Sequence, residues 1–561
     1  MRSFCDPARF LDALASLLAV VLTVSGANGN DVVVVCGSSL RPALQPWIDF
    51  REDQGLKIAT CEPLPTPQQT HRRIQDLAND QTRYVMLVGD VTTLHHATEP
   101  NDVPTFYLPT EVTAAFGSTA TYPSDLPYAE LQRAPGTPRP CVGRLPVRTT
   151  DQLTRFVDRI LQYERSDDFG PWRRSIQLTA GVGGFGGFVD TAIESITRQI
   201  LTSTLPADTK PQIAYASDGH AFCPINQDFG SAVRKRFASG TRFWIYAGHG
   251  SVDRLDLLER SVRDDVALQQ TGGEPKQNDA PERLKTRSTT APFVARSLIN
   301  NETAGELIAP ADRSPIGVLL ACYAGAIDAP GDCLAERMLL SDGGPVAMIA
   351  ATRLTMPYGN ARFGLGLLEG VYQKQSERLG DAISHGLSRT RSATPTDNPS
   401  PIQTMVDAVA SLISPAGVDI AVERREHAGL YMLLGDPTLS LHSSKPIDMH
   451  VQRSSDDSNE RVVRVSLTSP ITGALTLSMD RPLGSTATPA ASLATTPDGT
   501  DHQEIDPHLR TVVTFHCDVI AGQTVNSDLV IPKDASGPMV VRSFVQGDDA
   551  WASAAARTLV R

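Results

Sequence analysis

RFWIYAGHG, residues 242–250, sets the reading of the whole chain. A continuous run of β-forming apolar residues stops at Gly-His-Gly. Such a run, bounded by glycine, fits a strand buried on both faces. By itself the histidine is a passenger in a turn. A second stretch changes that. SPIGVLLACYAG (314–325) has the same form and ends at Cys322. If both strands share one parallel sheet, their C-terminal ends open on one edge, where ligands of open α/β sheets bind. His249 would then meet Cys322. Imidazole exchanges protons near neutral pH, and a thiolate is the strongest side-chain nucleophile there. Gly250 carries no side chain to block a substrate, and its N–H could face a developing oxyanion.

Working outward, the same texture recurs. DVVVVCG (31–37), LKIATC (56–61) and RYVMLVGD (83–90) read as strands separated by helix-length segments. In 142–164, Leu153, Phe156, Val157, Ile160 and Leu161 fall on one helical face, with Thr150 or Asp151 as the cap. A second α/β set begins near Trp172 and includes GPVAMIAAT (344–352). Strands alternating with helices predict an α/β protein with a parallel sheet, here in two subdomains, 28–165 and 166–445. Within the second, 259–290 is polar and charged and reads as a surface insertion. Its basic residues would be self-cleavage sites in an enzyme that prefers them. From 446 to 561 short alternating strands joined by Gly, Pro, Asp and Ser predict a small antiparallel β-sandwich.

The chain has 561 residues and a formal charge of −12. That length calls for several domains, and the acidic balance argues against a nucleic-acid partner. Arg2 and Arg9, the apolar run from Leu11 to Val24 and the small residues Ser25-Gly26-Ala27 read as a signal peptide, residues 1–27. No later segment is apolar enough to span a bilayer. The expected location is secreted, cell-surface or periplasmic. Of eight cysteines, Cys5 leaves with the signal. The remaining seven include no CxxC pair, against a zinc knuckle. Cys36 and Cys61 each end a strand and could form a disulfide if those strands are neighbours. His95 and His96 read as a surface loop, as does His220, and Cys333 as a structural thiol.

At this point the sequence resembles the gingipain-type cysteine peptidases of the caspase-like group. The matching stretches are LVGD (87–90), VGRLPVRT (142–149), YAGHGS (246–251), LLACYAG (319–325), GGPVAMIAATR (343–353) and LLGDPTLSL (433–441). The resemblance implies a caspase-like parallel-sheet domain followed by an Ig-like β-sandwich. It assigns His249 as general acid/base and Cys322 as nucleophile, with backbone N–H groups of Gly250 and Cys322 as the oxyanion hole. Asp190 and Glu194 in GGFVDTAIES (186–195) have the spacing found in the arginine-specific branch. Asp190 is therefore expected to bind a substrate Arg or Lys, with Tyr358 on the pocket wall. The acid that orients the histidine in gingipains is replaced by Val182. TRLTMPYGNAR (352–362) lacks the acid of the lysine-specific branch.

The expected function is a secreted cysteine endopeptidase acting on protein or peptide substrates. No cofactor is needed for the chemistry, and structural calcium is compatible with the family, although no D-x-D-x-D-G loop is present. Two alternatives use the same scaffold: a surface transpeptidase of sortase-like function, and a catalytically silent binding or adhesion protein.

Overall fold

The computed structural model describes residues 29–560 except 92–98, 218–219, 225–227, 261–292, 395–399, 416, 454–460, 484–507, 509 and 534. The signal segment and His95–His96 lie outside the described residues. So does most of the charged insertion, whose first two residues belong to a strand, Arg254–Arg260.

Valine-rich and aliphatic runs become strands with both faces covered. Ten of them form one sheet. In chain order they are β1 (Val32–Cys36), β2 (Ile58–Cys61), β3 (Tyr84–Val88), β4 (Cys141–Leu145), β5 (Ser175–Gly181), β6 (Lys210–Ala216), β7 (Phe243–Ala247), β8 (Ile316–Leu320), β9 (Ala347–Ala351) and β10 (Tyr431–Leu434). Their order across the sheet is β2-β1-β3-β4-β10-β9-β8-β7-β5-β6. Every pairing is parallel except β9 with β10. The two α/β sets read from sequence thus share a single sheet, and β10 is the seam between them.

Five helices matter below. They are α1 (Arg41–Asp53), α2 (Thr150–Glu164), α3 (Gly187–Thr204), α4 (Pro357–Leu368) and α5 (Ile420–Leu430). The five residues expected on the inner face of α2 are all buried. Its cap is Thr149, one residue before the expected position. The Thr149 side chain and Gln152 form a reciprocal capping box, which satisfies two of the orphan N–H groups at the helix start.

Cys36 and Cys61 do lie on neighbouring strands, yet both are free thiols. Cys61 stands opposite Val35, so Cys36, one residue on, points to the other face of the sheet. The two belong to different core clusters, and burial pushes the thiols up to about 12 and about 11.

The seam is tied by charge as well as by strand pairing. Just past β10, Asp436 is fully buried. It accepts from Trp47 Nε1 (2.5 Å) and Arg51 Nη2 (2.6 Å) of α1, and from the backbone and hydroxyl of Thr438. Arg51 also forms a bidentate pair with Glu164 of α2, at 2.8 and 2.6 Å. The Arg51 guanidinium and these hydrogen bonds hold the Asp436 carboxyl below its usual range against the cost of burial. That accounts for the LGDPTL stretch, which needs its aspartate for architecture.

After residue 444 the chain forms a five-stranded and a three-stranded sheet, largely antiparallel, with one shared apolar core that includes Val465, Leu477, Val541 and Val545.

Glu164 still pairs with Arg51 when Asp436 is removed, but the buried donors of Trp47, Arg51 and Thr438 lose their acceptor. Asp436→Ala is therefore expected to lower unfolding stability by about 3 kcal/mol or more, measured by urea denaturation. A loss below about 1 kcal/mol would show that the seam does not depend on this network.

Candidate active site

β7 and β8 pair with Ala247 opposite Leu320. His249 and Cys322 each lie two residues beyond that pair, at the same level of the sheet edge. Gly248 N–H donates to Leu320 O at 3.3 Å, which keeps the two chains together past the last paired residues. Gly250 then passes so close that a Cβ there would lie 3.0 Å from both Cys322 O and Ala321 Cβ. A side chain at 250 would push the two strand ends apart. Immediately after the cysteine, Tyr323 adopts φ 58°. A left-handed conformation is costly for a tyrosine, and such strain is typical of sharp turns that present a reactive side chain.

Histidine orientation comes from the backbone. The His249 Nε2 lies 2.7 Å from Gly183 O in the glycine-rich turn after β5. A carbonyl only accepts, so this nitrogen carries a proton and the other is left for proton exchange. Phe185 packs against the ring, 5.9 Å between centroids. The place of the missing acid at Val182 is thus taken by the carbonyl of the next residue. A main-chain acceptor has no side-chain signature, so no sequence pattern announces it.

Cys322 is held by residues that the sequence reading passed over. Thr355 N–H donates to Cys322 Sγ at 3.3 Å, and Thr355 Oγ1 lies 3.6 Å from the sulfur. Tyr431 OH donates to Asn360 Oδ1 (2.7 Å), and Asn360 Nδ2 donates to Thr355 Oγ1 (3.0 Å). With its oxygen already accepting, the Thr355 hydroxyl has its own proton left to give to the sulfur. Two donors therefore face Sγ when it is ionised. Behind this turn stands His427 of α5, wholly buried. It accepts Met356 N–H through Nε2 (2.7 Å), and its Nδ1 lies 3.1 Å from Glu423 O. Burial pushes this imidazole down to about 4, which keeps it neutral. Gly359 makes room for it, since a Cβ there would fall 2.0 Å from the ring.

His249 and Cys322 open on a cavity of about 240 Å³. Its floor is the sheet, with Leu178, Ile245, Val318 and Leu320; its sides are α3 and α4. Asp190, Glu194 and His220 line it as well. The two carboxylates differ. Glu194 is paired with Arg198 at 3.0 Å and lies 3.5 Å from His220 Nε2. Asp190 Oδ1 accepts Phe185 N–H at 3.2 Å, and among the described residues it has no cationic partner. His220, read as an ordinary loop residue, is thus a wall of the cavity. Tyr358 is not brought to it. The ring is buried against other helices, with its OH donating to Asp407 Oδ1 (2.8 Å) and accepting from Arg424 Nη1 (3.2 Å), while its neighbours Pro357 and Asn360 face the cavity. Cys333 caps the helix Leu334–Leu340 and is buried away from solvent. Among the described residues no group of three metal-ligating side chains is found.

The model of peptidase family C25 matches residues 25–442 of this sequence. The chain belongs to that family, and with it to the cysteine peptidases, whose substrates are proteins. Comparison with curated proteins finds no match. Among solved structures, the Arg-specific cysteine proteinase gingipain R is 14% identical with a TM-score of 0.48, covering 96% of this chain and 99% of that one. A complex of Porphyromonas gingivalis RgpB pro- and mature domains gives 14% identity and a TM-score of 0.48, over 95% and 100%. The Saccharomyces cerevisiae separase–securin complex gives 10% and 0.28, over 53% of this chain and 14% of that chain. No helix among the described residues is long and apolar enough to cross a membrane.

Thr355→Val keeps the N–H and the volume and removes the hydroxyl. Alkylation of Cys322 by iodoacetamide at neutral pH, followed by mass spectrometry, is expected to slow by about tenfold, the worth of one hydrogen bond to a charged group. An unchanged rate would show that the hydroxyl does not support the ionised sulfur.

Proposed function

We propose that this chain is a secreted cysteine endopeptidase that works through Cys322 and His249 and prefers a basic residue before the cleaved bond. One observation carries the reading: the paired strand ends of β7 and β8 deliver an imidazole and a thiol to the mouth of one cavity. In this mechanism His249 takes the Cys322 thiol proton on its free ring nitrogen, and the resulting thiolate adds to the scissile carbonyl carbon. Backbone N–H groups of Gly250 and Cys322 receive the oxyanion. His249 gives its proton to the leaving amine, and the C–N bond breaks to leave a thioester. Water then attacks that thioester, with His249 taking the water proton, and the carboxylate product departs as the thiol reforms.

The basic preference rests on Asp190. An arginine side chain has an apolar stem and a cationic head. The cavity offers apolar walls for the stem and, in Asp190, a carboxylate that no described cation occupies. Glu194 serves less well because Arg198 already holds it. Export is supported by the positive start, the apolar run and the small residues before Asn28.

Fluorogenic peptides ending in Arg, Lys, Asp, Asn or Ala, assayed under reducing conditions, test both parts. Cleavage after Arg or Lys is expected, with Cys322→Ala and His249→Ala each losing at least about 100-fold in kcat/KM. Asp190→Asn should cost about 10- to 100-fold on the basic peptides and leave any slow Ala cleavage unchanged. Cleavage confined to other residues would remove the Asp190 assignment and keep the dyad. A folded protein that cleaves none of them, with an unreactive Cys322, would favour the silent scaffold. Peptide transfer to an added amine in place of hydrolysis would identify the transpeptidase. N-terminal sequencing of exported protein should begin at Asn28.

A further inference from the structure

The first sandwich sheet meets the edge of the catalytic sheet at an excess of buried positive charge, beside a cavity that shares Leu201 and Leu483 with the one on which the dyad opens. Arg174 ends the turn before β5 and is 4% exposed; its guanidinium lies 4.4 Å from the centroid of the Phe544 ring. Arg542, on the strand Gly537–Gln546, donates Nε to Ala207 O at 2.6 Å and pairs through Nη1 with Asp480. Arg510 is 9% exposed and, with Arg542, lines a cavity of about 290 Å³ at the junction. Lys210, at the start of β6, feels Arg174, Arg542 and Arg510. Burial and these guanidiniums push its ammonium down to about 8.

The charge does not balance. Four cationic side chains share this junction with Asp480 and Asp208, and Asp208 already accepts from Ser553 Oγ. Among the described residues, Arg174 and Arg510 are the two arginines with both Nε and a terminal Nη left without a hydrogen-bond partner. Both stand beside the same Arg542–Asp480 pair. One oxygen of Asp480 is also unpartnered, but it cannot serve all four of those N–H groups. Of the four cations, Arg510 and Arg542 line the cavity, and Arg174 and Lys210 act on it only as nearby charge. A buried guanidinium without acceptors at a cavity is costly, so the unpartnered N–H groups of Arg510 call for an anion. Guanidinium forks suit the oxygens of a tetrahedral oxyanion.

We propose that the junction cavity is a binding site for a small oxyanion of the phosphate or sulfate class, with Arg510 as its principal ligand and Arg174, Arg542 and Lys210 supplying the surrounding positive charge. The ion would clamp the sandwich to the catalytic sheet, and it is independent of the peptidase reading. Binding to the native chain alone raises its stability.

The test is calorimetric titration of the full chain with inorganic phosphate, and separately with sulfate, against chloride at matched ionic strength. A saturable one-site heat is expected from the wild type with either oxyanion, together with a raised Tm. Arg510→Gln should weaken that affinity at least tenfold. If that variant does not fold, Arg174→Gln is read in its place, with weakening again expected. Heat no different from chloride, or equal affinity in wild type and a folded variant, would overturn the proposal. A Tm rise of the same size in both proteins would be the general effect of excluded salts and would count against it too.

Discussion

The parallel pairing of β7 with β8, Ala247 opposite Leu320, is the constraint on which the site depends. Parallel strands end on the same edge, so anything placed two residues beyond the last pair is delivered to one place. Gly250 lets the chains stay close there. The remaining features of the site hold what this pairing delivers. Gly183 O fixes the imidazole, and Thr355 fixes the sulfur. The proposed chemistry would fail from a register shift of one residue, because such a shift turns side chains to the opposite face.

A large sheet with its edge open to substrate needs rigidity elsewhere. β10 supplies it by joining the two halves, parallel to β4 and antiparallel to β9. Asp436 then anchors the seam to α1 and α2 through Arg51. The same strand contributes Tyr431, whose hydroxyl begins the hydrogen-bond chain to Cys322 by way of Asn360 and Thr355. One segment thus serves both the architecture and the sulfur, which ties the state of the seam to the reactivity proposed for the thiol.

The fold was legible where the chemistry of burial leaves a mark on composition. Runs such as VVVVC, YVMLV and AMIAA fit strands covered on both faces, and they are strands with every residue buried. The apolar stripe of α2 was equally plain. The helix α5 was not singled out, because its buried face carries Glu423, Glu426 and His427, whose partners include groups remote in sequence. Glu426 shows the reason. Its carboxylate accepts backbone N–H groups of Glu111, Val112 and Thr113, some 315 residues away.

The sequence by itself determined the class of fold and the family and pointed to His249 and Cys322 as the proposed pair, because strand composition and glycine-bounded strand ends are local properties. Tertiary structure decided what surrounds that pair. The histidine's partner is a main-chain oxygen, Tyr358 turns to Asp407 instead of the cavity, and Glu194 is already paired while Asp190 is not. It also decided that Cys36 and Cys61, on neighbouring strands, face opposite sides of the sheet. Each of these outcomes depends on which atoms meet across long stretches of chain, and residue type alone does not fix such meetings.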